Sequence, residues 1–178
     1  MPRNIEIKAR IESVEEMLPR TLALADGPAE LIVQDDTFFA VRQGRLKLRQ
    51  FADGSAELIH YQRPDTQAAK ASDYVRVPLQ NPAALREALM RACGQTGHVR
   101  KKRWLLMVGH TRIHLDRVEG LGDFIEIEVV LEAHQSDEQG HALAEALMDD
   151  LGLAHAPRLA GAYKDLLAAS SRGTASAR

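Results

Sequence analysis

Asn4-Ile5-Glu6-Ile7-Lys8-Ala9-Arg10-Ile11 alternates polar, mostly charged side chains with aliphatic ones. A β-strand turns successive side chains to opposite faces, so Glu6, Lys8 and Arg10 share one face and Ile5, Ile7 and Ile11 the other. The pattern returns in Arg45-Leu46-Lys47-Leu48-Arg49, in Arg112-Ile113-His114-Leu115-Asp116 and in Ile125-Glu126-Ile127-Glu128-Val129. A solvent-facing sheet would mix Ser, Thr and Gln into its polar positions. Here those positions are nearly all full charges, and both signs recur. Two carboxylates on adjacent same-face positions can hold a hard cation. Three cations on one face can hold a polyanion. Together they point to a site for a metal-bound phosphate chain. A half-exposed sheet with a solvated charged face gives the same alternation, and the pattern alone does not separate the two.

At 178 residues a single domain with a substantial core is expected. The formal net charge of -2 disfavours general attraction to nucleic acid, so no nucleic-acid partner is expected and the basic residues must act through local clustering. The only cysteine, Cys93, excludes an intrachain disulfide and fits a reducing cytoplasm; its place on a helix reads as packing. No apolar run approaches the ~18 residues of a membrane span. The charged first strand leaves no signal peptide, and a cytoplasmic protein without membrane contact is the expectation. The folded domain is expected to cover residues 1–169, with a small, polar, disordered tail over 170–178.

Turn and cap signals divide the chain. Ser13-Val14-Glu15-Glu16 reads as a capping box opening a helix to about residue 25. Strands follow over about 31–41, 45–51 and 56–63, the last two joined by the hairpin turn Asp53-Gly54. The polar stretch 64–72 reads as a loop, and 74–79 as a short strand. Asn81-Pro82 caps a helix to about Cys93. Strands over 97–108, 111–117 and 124–131 precede helices over 137–151 and 161–168. Strands adjoining through short turns argue for antiparallel pairing. The expected fold is therefore α+β: an eight-stranded antiparallel β tunnel, or barrel, with a charged interior. Helices would cover its apolar outside through Leu85, Leu89, Leu143 and Leu147.

These stretches resemble the CYTH superfamily, the triphosphate tunnel metalloenzymes that include class IV adenylyl cyclases and thiamine triphosphatases. The hallmark Glu-x-Glu-x-Lys strand stands here as Asn4-Ile5-Glu6-Ile7-Lys8. The likeness continues through Gln34-Asp35-Asp36-Thr37-Phe38-Phe39, the basic strand from Arg45 to Arg49, Tyr61-Gln62-Arg63-Pro64-Asp65 and the pair Lys101 and Arg103. It closes with the acidic segment from His114 to Glu128 and with Ala162-Tyr163-Lys164-Asp165-Leu166-Leu167. One position departs: Asn4 stands where the first hallmark glutamate is expected. An amide oxygen can ligate a metal but carries no charge.

The resemblance implies a Mg²⁺ or Mn²⁺ ion held by Glu6, Glu126 and Glu128, with Asp116 as a further ligand or water-orienting base. It implies that Arg45, Lys47, Arg49, Arg63, Lys101 and Arg103 grip the phosphates of ATP, thiamine triphosphate or tripolyphosphate. Lys8 would neutralise transferred charge or set the pKa of a metal ligand. Strand parity turns Lys101 and Arg103 to one face and Arg100 and Lys102 to the other. Arg10 could lie deeper in the tunnel or at its mouth, and Arg112 shares parity with Asp116 as a salt-bridge partner. His60, His98, His114, Trp104 and Tyr163 read as packing or surface residues. No local aromatic or Gly-rich base pocket is visible, which favours triphosphate hydrolysis over cyclisation of ATP. A non-catalytic nucleotide or polyphosphate binder is the alternative, and a homodimer stays open.

Overall fold

The computed structural model describes residues 3–62 and 73–175. Its elements are β1 (Arg3–Arg10), α1 (Val14–Leu22), β2 (Glu30–Phe39), β3 (Arg45–Phe51), β4 (Ala56–Gln62), β5 (Asp73–Leu79) and α2 (Pro82–Cys93). β6 (Gln95–Val108), β7 (Thr111–Val118), β8 (Gly122–Leu131), α3 (Asp137–Asp150) and α4 (Tyr163–Ala175) complete it. Ser13 takes the Glu16 N–H at 3.4 Å, the first half of the capping box read there, while its hydroxyl donates to Glu15 at 2.9 Å; Asn81 takes the Ala84 N–H at 3.4 Å, and Gly54 turns the β3–β4 hairpin at φ 86°. α4 continues past residue 169, where the sequence placed the end of the folded domain.

All eight strands join one antiparallel sheet in the order β1-β8-β7-β6-β2-β3-β4-β5. The expected antiparallel tunnel is present as an open, curled sheet. Among the described residues β1 pairs along its length only with β8, and β5 only with β4, so the sheet curls into a tunnel without a hydrogen-bonded seam.

The inverted polarity read from the alternation holds. Ile5, Ile7 and Ala9 of β1, Ile113 and Leu115 of β7, and Ile125, Ile127 and Val129 of β8 are buried in the main core. α1 and α3 supply the other side of it through Val14, Met17, Ala144, Leu147 and Met148. The helix contribution differs in detail from the expectation. Leu143 is 43% exposed, because the buried stripe of α3 runs Gly140, Ala144, Leu147 and Met148. Leu85 and Leu89 of α2 are half-buried.

A second cluster of Phe38, Val99, Val118, Phe124 and Tyr163 forms where α4 meets the sheet. Gly97 permits that approach, since a Cβ there would sit 3.3 Å from the Cβ of Lys164. Among the described residues no helix is long and apolar enough to cross a membrane.

Candidate functional site

The concave face of the sheet encloses a cavity of about 330 Å³, to which all eight strands contribute. Alternation and register decide what faces it. Glu6 lies opposite Glu128, and Glu128 opposite Arg112; one step along, Lys8 lies opposite Glu126, and Glu126 opposite His114. These same-face cross-strand neighbours build one charged wall across β1, β8 and β7. Lys101 and Arg103 continue it on β6, while Arg100 points away and binds Asp35 at 3.0 Å. Asp36 of β2 and Lys47 and Arg49 of β3 form the wall beyond. Among the described residues the lining carries seven cationic side chains against four carboxylates, so the cavity favours an anion.

The charges are held by one another. Asp36 accepts from Lys47 at 2.7 Å and from Arg49 through two contacts of 2.7 Å. Asp116, fully buried, accepts from Lys101 at 3.0 Å, from Arg103 at 2.7 and 2.6 Å and from the Tyr163 hydroxyl at 3.0 Å. Glu126 binds Lys8 at 2.6 Å and Arg103 at 2.5 Å. Arg112 grips Glu128 with two contacts of 2.9 Å, and the Asn4 amide donates to the same carboxylate. The Tyr163 ring lies 4.2 Å from the Lys8 ammonium and 5.1 Å from that of Lys101.

Burial sets the proton affinities of this set. It lowers Lys47 to about 7, against the pull of Asp36 in the other direction. It lowers Lys101 to about 8, helped by the neighbouring Arg103 and opposed by Asp116. Burial would raise the carboxyls of Asp36, Asp116 and Glu126, but their cationic neighbours outweigh it and all three stay below the usual carboxylate range. Burial and Arg103 lower His114, which keeps its ring neutral near pH 7.

Most residues picked out from the sequence do meet here: Glu6, Lys8, Lys47, Arg49, Lys101, Arg103, Glu126 and Glu128 all line the cavity. Others do not. Asp116 lies beneath the wall with its oxygens occupied by two cations and a phenol, so it holds Lys101 and Arg103 in place and does not fit as a metal ligand or base. Arg45 lies off the lining, bound to Asp165 of α4 at 3.0 Å. Arg112 does line the cavity, but it pairs with Glu128 and not with Asp116, because register places it opposite Glu128. Arg10 also lies outside, donating to the Leu121 carbonyl at 2.8 Å. Arg63 falls outside the described residues.

Three participants escaped the sequence reading. Asp36 carried no role until the β2–β3 register set it against Arg49. His114 lines the cavity, with its Nδ1 buried, without a hydrogen-bond partner and 3.5 Å from Glu126. Tyr163 packs as expected but also reaches the cavity from α4. Same-face parity already marked His114, whereas Tyr163 leaves no signal in a strand pattern.

The donor set suits a hard divalent ion in type. Glu6, Glu126 and Glu128 are oxygen ligands on one face of two adjacent strands. It is not a preformed cage: among the described residues no three acidic, His or Cys side chains converge on one point, because Glu126 and Glu128 are drawn onto cations.

Comparison with known proteins bears on the same face. No curated protein matches the chain. The PH1012 protein from Pyrococcus horikoshii OT3 superposes with a TM-score of 0.80 at 23% identity, covering 92% of this chain and 99% of its own. A Vibrio parahaemolyticus protein described as a candidate adenylate cyclase gives 0.75 at 19% identity over 93% and 98%. HpAC1 from Hippeastrum, described as having a dominant triphosphatase activity, gives 0.64 at 17% identity over 86% and 89%. These likenesses show the shared fold. The CYTH domain model matches residues 2–163, so the segment that builds the charged tunnel is the segment matched, and the chain belongs to the CYTH domain family.

Proposed function

We propose that the tunnel binds a linear triphosphate together with Mg²⁺ or Mn²⁺ and hydrolyses it. The observation that carries this reading is the excess of cations lining one cavity, spread over β1, β3 and β6. An extended chain of phosphates could meet Lys47 and Arg49 of β3 together with Lys8 of β1 and Lys101 and Arg103 of β6. Guanidinium grips phosphate oxygens bidentately and ammonium adds point charge. The ion, held by Glu6, Glu126 and Glu128, would supply charge neutralisation at the phosphate oxygens. Phosphoryl transfer asks the protein mainly for position and charge, and Asp36 and Asp116 supply position by fixing two cations each.

Hydrolysis is favoured over cyclisation because the Hippeastrum relative with this fold is described as a dominant triphosphatase. A second reading, binding without turnover, draws on Asn4. Its amide donates to Glu128, where a glutamate would have repelled it. Incubating the protein with Mg²⁺ or Mn²⁺ and either tripolyphosphate, thiamine triphosphate or ATP, then resolving phosphate, pyrophosphate and cyclic AMP, tests the proposal. Metal-dependent phosphate release is expected. Cyclic AMP with pyrophosphate would replace hydrolysis by cyclisation, and tight binding with no product would select the binding role.

A further inference from the structure

We propose that Tyr61 and Tyr74 form a platform for a planar aromatic ring, so that the triphosphate carried by this tunnel is an organic one. The inference rests on the triphosphate reading above. Tyr61 of β4 and Tyr74 of β5 are direct antiparallel partners, and both line the same cavity as the phosphate-facing cations. The next pair along the same face, Ile59 and Arg76, lines it too. Two tyrosines, an isoleucine and a guanidinium thus occupy neighbouring positions on one patch of wall. This patch differs from the rest of the cavity, where nearly every polar position is charged.

Packing does not account for Tyr74. Tyr74 is 52% exposed although it belongs to a paired strand, and β5 has no strand on its far side among the described residues. A half-exposed phenol on a concave wall offers its π-face to a ligand, and tyrosine supplies rigid contact area at low entropic cost. Arg76 is held by Glu57 through contacts of 2.7 and 2.8 Å, which presents a second planar surface beside the tyrosines.

The patch is also next to the phosphate cations. Lys47, opposite Ile59 in the β3–β4 register, places its ammonium 5.8 Å from the Tyr61 ring centroid. A short linker such as a sugar or an ethyl arm can bridge a phosphate at Lys47 and a ring over Tyr61. Inorganic tripolyphosphate, which has no apolar part, gains nothing from the two tyrosine rings. The ten residues separating the two strands explain why no local base-binding motif showed in the sequence.

Calorimetric titration of the wild type, Tyr61→Leu and Tyr74→Leu with tripolyphosphate, ATP and thiamine triphosphate decides the matter. Stacking on an aromatic side chain is worth about five- to 150-fold in affinity. At least one of the ring-bearing ligands should therefore lose about fivefold or more in each variant, while tripolyphosphate stays within about twofold and certifies that the tunnel is intact. Which ring-bearing ligand responds names the source of the ring. Unchanged affinity for both, or equal loss for all three ligands, would overturn the platform while leaving the triphosphate reading in place. Failure of the wild type to bind any of the three would instead remove the triphosphate reading, and the platform with it.

Discussion

Lys47 and Lys101, the lysines proposed to hold phosphate, have an unusual property for that role: burial leaves them at about 7 and about 8, so they lose protons around and just above neutrality. A bound polyanion restores the proton, because an adjacent negative charge favours the ammonium. Binding of tripolyphosphate should therefore take up protons near pH 8 and weaken as pH rises from about 7 to 9. Calorimetry at pH 8 in two buffers of different ionisation enthalpy reads this directly, and identical apparent enthalpies would contradict it. Stability follows the same groups with the opposite slope. Each lysine binds its proton more weakly folded than at its ordinary 10.5, so the unfolded chain holds more protons above about pH 7. Their contribution then becomes more favourable as pH climbs from about 7 toward 10.5.

At the scale of elements, the alternation in β1, β3, β7 and β8 was legible because period two is a local property. It placed Glu6, Lys8, Lys47, Arg49, Glu126 and Glu128 on the cavity without any knowledge of pairing. What it could not give was register. Whether Arg112 neutralises Asp116 or Glu128 depends on which residue of β8 lies across from it, and Asp36 acquires its two cations only through the β2–β3 register. The open seam was hidden for the same reason, since closure depends on β1 meeting β5.

The helices show a parallel limit. Leucine spacing in α3 nominated Leu143, but the true contact stripe includes Gly140, where a Cβ would come within 2.6 Å of both Ile5 and Leu131. Alanine would gain about 1 kcal/mol of helix propensity at that position. Overpacking a fitted core costs about 1–3 kcal/mol, and here two buried side chains must move at once. Gly140→Ala should therefore destabilise the protein, read as a lower denaturant midpoint at unchanged slope. A raised midpoint would mean that α3 sits less tightly on β1 and β8 than its contacts indicate.

For the whole molecule, the apolar face that normally forms the inside of a curled sheet is turned outward under α1 and α3, and the charged face is turned inward. Such an inversion is costly unless the enclosed charges are paired, and the buried carboxylates Asp36, Asp116 and Glu126 each meet two cations. The pairing offsets the cost of enclosing these charges, and the excess of cations makes the tunnel receptive to an anion. The central claim is that this receptivity is tuned to an extended chain spanning two walls. Calorimetric titration of tripolyphosphate and of orthophosphate into the wild type, Arg49→Ala and Arg103→Ala tests it most directly. A hydrogen bond to a charged group contributes about 1.5–3 kcal/mol, or about tenfold and upward in affinity. Both variants should lose at least that much for tripolyphosphate and much less for orthophosphate, since Arg49 stands on β3 and Arg103 on β6 with β2 between them, and an extended chain offers a phosphate to each. Equal losses for the two anions, or tripolyphosphate binding no tighter than orthophosphate in the wild type, would show a generic anion patch and contradict the account.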